Sequence, residues 1–187
     1  MRVIGITGTN GAGKGILCDI LVKLTNCKHI SARDLIILKA KSLGVEIVTR
    51  PDMREFMEKY NREGHSLLDD FLVDYKDDEE IIAFESIRRV IEVKRFRNSG
   101  INFLLVSVDA DPKIRYERAI LRGSNTDHVS YEEFLVQEQN ESNATEDNQM
   151  NIVKCIEMAD VKLTNDGDLN KFEQEIKEKL LNNDFFK

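Results

Sequence analysis

Seven residues near the start of the chain, Gly8-Thr9-Asn10-Gly11-Ala12-Gly13-Lys14, have the types and spacing to hold phosphate. In this G-x4-G-K pattern the glycines let backbone N–H groups turn inward onto phosphate oxygens, and Lys14 supplies a point charge. The positive end of a helix opening at this place would add to the same spot, so amides, dipole and ammonium converge on one anion. Gly15 and Ile16 stand where a Ser or Thr hydroxyl commonly meets Mg²⁺, so no direct protein ligand for the metal is expected. The ion would be held through water and nucleotide, with a carboxylate such as Glu85 behind it.

Two further segments carry groups able to act on a second substrate. Ligands of an open parallel sheet sit beyond the carboxyl ends of its strands. Two strands are expected to end in Ser31-Ala32-Arg33-Asp34 and Glu85-Ser86-Ile87-Arg88-Arg89. Asp34 and Glu85 could orient or deprotonate an acceptor, or order metal-bound water. Arg88 could clamp an acceptor phosphate with two hydrogen bonds. The alternatives are a helix cap at Asp34 and an ion pair of Glu85 with Arg88 or Arg89. Arg115, Arg118 and Arg122 fall at helical spacing, and Arg118 and Arg122 are favoured to reach a transferring phosphoryl group, which spreads charge over its outer oxygens. Arg54 and Arg62 belong to helices that would cover the acceptor, so Ser31, Asp34, Arg62 and Arg88 are the candidate substrate contacts. His29, His65 and His128 are scattered, without a Cys or acid at ligand spacing, and read as packing or surface residues. Cys18, Cys27 and Cys155 are too far apart for a zinc motif or a disulfide framework, and read as packing residues.

The elements that must position these groups alternate between short apolar runs and segments of helical period, the mark of an α/β chain with a parallel sheet covered on both faces. Strands are expected at 3–6, 28–31, 81–84, 103–108 and 161–164. Helices are expected at 16–24, 32–43, 52–63 with Asp52 as cap, up to 75, 87–97, 112–122, up to 140, 151–159 and 168–181. The stretch from Glu141 to Asn148 is polar enough to be mobile. The chain has 187 residues, 41% of them hydrophobic, enough for one compact domain spanning 1–187. A net charge of -7 argues against the broad basic surface that a nucleic-acid polymer needs. No apolar run approaches the roughly 20 residues of a membrane span, so the cytoplasm is the expected location.

With these motifs in place, the chain resembles the P-loop nucleoside monophosphate kinase superfamily, and within it the small adenylate-kinase-like and dephospho-CoA-kinase-like proteins. The resemblance runs through ITGTNGAGKG, HISARDLI, FESIRRVIEV, VDADPKIRYERAILRG and ADVKLTNDGDL. It implies a five-stranded parallel sheet in the order 2-3-1-4-5, with ATP and Mg²⁺ as donor and cofactor. The acceptor, a small nucleotide-like molecule, would lie between the Asp34 and Glu85 regions, under helices from about 32 to 76. A short lid over about 122–130 would close on the phosphates. Adenylate kinases carry an Asp-Gly-Phe-Pro-Arg type of sequence at the third strand, where this chain has Glu85-Ser86-Ile87-Arg88. The implied activity is transfer of the γ-phosphoryl of ATP to a nucleoside or deoxynucleoside monophosphate or to dephospho-CoA. The alternative is a nucleotide-binding regulatory protein, or an NTPase, that keeps the fold without efficient transfer.

Overall fold

A computed structural model describes residues 1–76, 80–123, 129–142 and 146–186. Five strands form its sheet: β1 (Arg2–Gly8), β2 (Lys28–Ser31), β3 (Ile81–Glu85), β4 (Asn102–Asp109) and β5 (Val161–Thr164). They are parallel and ordered β2-β3-β1-β4-β5, the order the resemblance implies. Helices α1 (Lys14–Thr25), α2 (Ala32–Ser42), α3 (Arg50–Arg62), α4 (Leu67–Asp74), α5 (Val90–Asn98), α6 (Pro112–Arg122), α7 (Tyr131–Ser142), α8 (Ile152–Glu157) and α9 (Leu169–Glu175) surround it. The last runs on into a π-helical stretch, Ile176–Leu181.

Alternate residues of each central strand feed opposite cores, because successive side chains of a strand point to opposite faces. Ile4, Ile6, Leu104, Val106 and Val108 join Leu17, Leu21, Phe172 and Ile176 on one face. Val3, Ile82, Phe84 and Leu105 join Phe71, Val93 and Phe96 on the other. Burial of this kind stabilises by about 1.5–3 kcal/mol per large side chain. A third, small cluster of Ala40, Phe56 and Tyr60 holds α2 to α3 away from the sheet.

Some boundaries differ from the sequence reading for local reasons. The cap of α3 is Thr49, with Asp52 completing a reciprocal capping box three residues on. Helix α5 starts three residues later than expected. Ile87 is drawn into the core, and the Glu92 carboxylate accepts the Arg88 and Arg89 N–H groups at 3.0 Å, which fixes the first turn after Arg89. Residues 146–148, expected to be mobile, are pinned to α5: the Ile91 N–H donates to the Asp147 carbonyl at 2.9 Å, and Lys94 pairs with the Asp147 carboxylate. Among the described residues no helix is long and apolar enough to cross a membrane.

Candidate active site

At the carboxyl end of β1 the chain turns through Gly8, Gly11 and Gly13, all at positive φ, and enters α1 at Lys14. A side chain at Gly8 would place its Cβ 2.0 Å from the Val108 carbonyl oxygen, and one at Gly13 would meet the Asn165 amide nitrogen at 2.3 Å. The loop therefore lies too close to its supports to carry side chains at these two points. Lys14 Nζ donates to the Gly8 and Thr9 carbonyls at 2.9 and 2.8 Å, which folds the lysine back over the loop.

Three supports hold the loop from below. Thr9 Oγ1 donates to the Asp109 carboxylate at 2.6 Å, and Asn165 Nδ2 donates to the Ala12 carbonyl at 2.9 Å. Arg115, only 5% exposed, donates from Nε to the Ala110 carbonyl at 2.8 Å, from Nη1 to the Asn10 carbonyl, and to Glu138. Arg115 is thus spent on bracing the loop and does not face the cleft. Asn165 and Asp109 are supports that the sequence reading did not single out as such. The signal the sequence carries here is Asn165-Asp166-Gly167, which reads equally well as a turn before the last helix or as the lining of a base pocket. In the structure Asp166 instead accepts the Asp111 N–H at 2.6 Å, joining two loops behind the cradle.

In front of the loop lies a cleft of about 410 Å³ lined by Asn10, Gly11, Gly13, Lys14, Gly15, Ile16, Glu85, Ser86, Arg88, Arg118 and Arg122. Lys14, Arg88, Arg118 and Arg122 face one carboxylate, Glu85, so a protein of net charge -7 concentrates positive charge here. Arg118 presents a buried Nη1 with no hydrogen-bond partner. Leaving a guanidinium N–H unpaired costs about 1–3 kcal/mol or more, an outlay that an anion in the cleft would offset. Arg122 donates to the Asn10 side-chain oxygen at 3.2 Å, and Arg88, just past β3, is exposed on the cleft lining. Ser86 holds φ of 76°, in the left-handed region. Its N–H and that of Ile87 both reach the Ile6 carbonyl, at 3.1 and 3.0 Å, and this turn puts both Glu85 and Arg88 on the cleft wall.

The remaining candidates lie apart from the cleft lining. Ser31 caps α2, accepting the Asp34 N–H at 3.0 Å while its hydroxyl donates to the Asp34 carboxylate at 2.7 Å. Asp34 is thereby engaged in the helix start, beside β3, since Ser31 lies in register with Glu85. Arg62 is exposed in the last turn of α3. The Arg54 side chain, His128 and most of the expected lid, 124–128, lie outside the described residues. Glu85 does not pair with Arg88 or Arg89. Arg89 is bound to Glu92, and the partner of Glu85 is His29, at 2.9 Å. The view of His29 as lacking a paired acid is corrected by the fold, which sets β2 beside β3. Cys18, one turn after Lys14 on α1, brings its sulfur within 4.8 Å of the His29 and Glu85 ligand atoms. Burial, then the Glu85 carboxylate, push the Cys18 thiol well above its ordinary range.

Phosphate fits this site, because the glycine cradle leaves room only for a ligand that approaches backbone amides and the Arg118 guanidinium awaits an acceptor. Mg²⁺ fits less directly: Gly15 and Ile16 bring no side-chain oxygen, and among the described residues Glu85 is the one carboxylate on the cleft lining. A family model described as an AAA domain matches residues 4–149. The chain belongs to this AAA-domain family. It is 27% identical to a UPF0200 protein of Sulfurisphaera tokodaii, with 96% of each chain covered. Its sheet, ordered β2-β3-β1-β4-β5 with the glycine loop after β1, is that of a P-loop NTPase fold. Among solved structures it is similar to TT1252 of Thermus thermophilus, at 18% identity, 95% coverage of both chains and a TM-score of 0.60. It also resembles a gluconokinase of Sinorhizobium meliloti 1021, at 13% identity and a TM-score of 0.51, over 93% of this chain and 88% of the other.

Proposed function

We propose that this chain is a phosphotransferase that moves the γ-phosphoryl of Mg-ATP to a small nucleotide-like acceptor. The observation that carries the reading is the unpartnered Nη1 of Arg118, which lines the same cleft as Lys14 and Arg122. A site built only to bind a nucleotide needs the cradle. A site that transfers a phosphoryl group also needs cations on the far side of the phosphate, where charge spreads in the transition state.

The amides from Gly8 to Gly13, together with Thr9, Asn10, Gly15, Ile16 and the Lys14 ammonium, bind the donor phosphates and fix their orientation. Arg118 and Arg122 bear on the transferring group. Arg88 holds the acceptor phosphate, and Glu85 orients the acceptor hydroxyl or orders water on the metal. Ser31 and Asp34 border the acceptor from the neighbouring strand end. Bound Mg²⁺ would supply charge neutralisation of the donor phosphates. Residues 1–187 act as one kinase domain, with helices α2 to α4 over the acceptor and the segment about 122–130 as lid. The gluconokinase among the similar structures supports phosphoryl transfer as the activity class and leaves the acceptor to be found by experiment.

The test is ADP formation from Mg-ATP with a panel of nucleoside monophosphates, deoxynucleoside monophosphates and dephospho-CoA, beside a control without acceptor. Stimulation by one member is the expected result. Lys14→Ala should keep a cooperative melting transition and lose about 10²–10³-fold of turnover. A uniform low rate with intact ATP binding would replace the kinase reading with that of a nucleotide-binding regulator.

A further inference from the structure

Cys18, His29 and Glu85 come from three different elements, α1, β2 and β3, and their ligand atoms all lie within 4.8 Å of one another. A thiol, an imidazole and a carboxylate form a set of one soft, one borderline and one hard donor, which suits a transition-metal dication such as Zn²⁺ better than the all-oxygen-seeking Mg²⁺ or Ca²⁺. The imidazole and the carboxylate are already drawn together at 2.9 Å, and Cys18 is fixed in the core, so small side-chain rotations would bring the three around one ion. Glu85 lines the cleft, which gives the site an entry path and leaves a fourth position facing it.

From this arrangement we infer that Cys18, His29 and Glu85 form a binding site for a Zn²⁺-class dication beside the phosphate cradle. Three protein ligands with an open fourth place is the geometry of accessible zinc sites, and closed structural sites use four. The ion replaces the thiol proton, forming a metal–sulfur bond and releasing one H⁺ to solvent, so affinity rises with pH. Around Cys18, burial and the Lys14 ammonium oppose a charged ligand set, and the Glu85 and Asp19 carboxylates favour the dication. Occupancy also removes Glu85 from the acceptor side of the cleft. This coupling rests on the phosphotransfer reading; the metal site itself does not.

The experiment is a Co²⁺ titration of the reduced, full-length protein without nucleotide. A thiolate-to-cobalt charge-transfer band in the near ultraviolet, visible bands of tetrahedral strength, and displacement of both by Zn²⁺ are expected. Cys18→Ser should abolish the charge-transfer band. Because Cys18 lies in the core, His29→Gln at the more exposed ligand is the companion variant. It should weaken binding at least about tenfold, the lower end of the cost of losing even an outer partner of a metal site. No charge-transfer band, or a band unchanged in both variants, would overturn the site. Zn²⁺ inhibition of ADP formation, relieved in His29→Gln, reads the coupling separately: if the protein transfers no phosphoryl group, that arm is silent and the cobalt spectrum still decides.

Discussion

Around the glycine cradle, the bonds that hold Thr9, Asn10 and Ala12 reach residues 100, 105 and 153 positions away in the sequence. Helices α2, α3 and α4 are held differently. Ser31, Thr49 and Ser66 each cap their own helix through the residue three positions on. Lys39 pairs with Asp70 at 3.2 Å, Tyr60 bonds the same carboxylate, and these contacts tie α2, α3 and α4 to one another. Helix α3 packs through the small cluster around Phe56 and Tyr60, apart from the two cores that grip the sheet. The contrast teaches that the cradle is fixed by bonds drawn from across the whole fold, whereas α3 is held by a local cluster, with α2 and α4 reaching the sheet core through Leu35, Leu68 and Phe71. Bonds that close long loops cost chain entropy, and they persist only where the elements at both ends are already anchored.

The comparison can be broken first at Arg118. If its unpaired nitrogen serves the transferring group, Arg118→Ala should lower kcat by about 10²–10³-fold with ATP affinity nearly unchanged. Steady-state kinetics beside calorimetric ATP titration would check it, and an equal loss in both would move Arg118 to the binding set. Next is the long-range bracing. Asn165→Ala leaves the buried Ala12 carbonyl without its donor and should cost about 1–3 kcal/mol in denaturant unfolding, together with weaker ATP binding. If only stability falls, the loop keeps its shape without this brace, and the claim of a fold-imposed cradle is too strong.

Smaller effects sharpen the other side. Arg88→Ala should raise the KM for the acceptor by about tenfold, the scale of one charge-assisted hydrogen bond, with ATP KM and melting temperature unchanged. An effect on ATP instead would place Arg88 with the donor. The smallest change is expected at Gly15, where an added Cβ would meet nothing within 4 Å. Gly15→Ser should fold at least as well, since Ser exceeds Gly in helix propensity by a few tenths of a kcal/mol or about half. It should also lower the Mg²⁺ concentration needed for half-maximal ADP formation a few-fold, by supplying the hydroxyl that the loop lacks. No change in Mg²⁺ dependence would show that the ion is held away from this position.

The sequence by itself determined what is encoded at short range. The apolar runs gave the strands, the Gly8 to Lys14 spacing gave the cradle, and helical spacing put Arg115, Arg118 and Arg122 on one face of α6, leaving packing to decide which of them reaches the cleft. These depend on strand and helix periods, which a local reading can follow. Tertiary structure alone decided which distant groups meet: Asn165 with Ala12, Arg115 with Glu138, and His29 with Glu85 across 56 residues. The same holds for Cys18, whose thiol reads in sequence as one apolar core residue of α1. Its nearness to a histidine and a carboxylate follows from the parallel pairing of β2 with β3 beside α1. No spacing along the chain records that pairing, because strand register is settled by how the whole sheet packs.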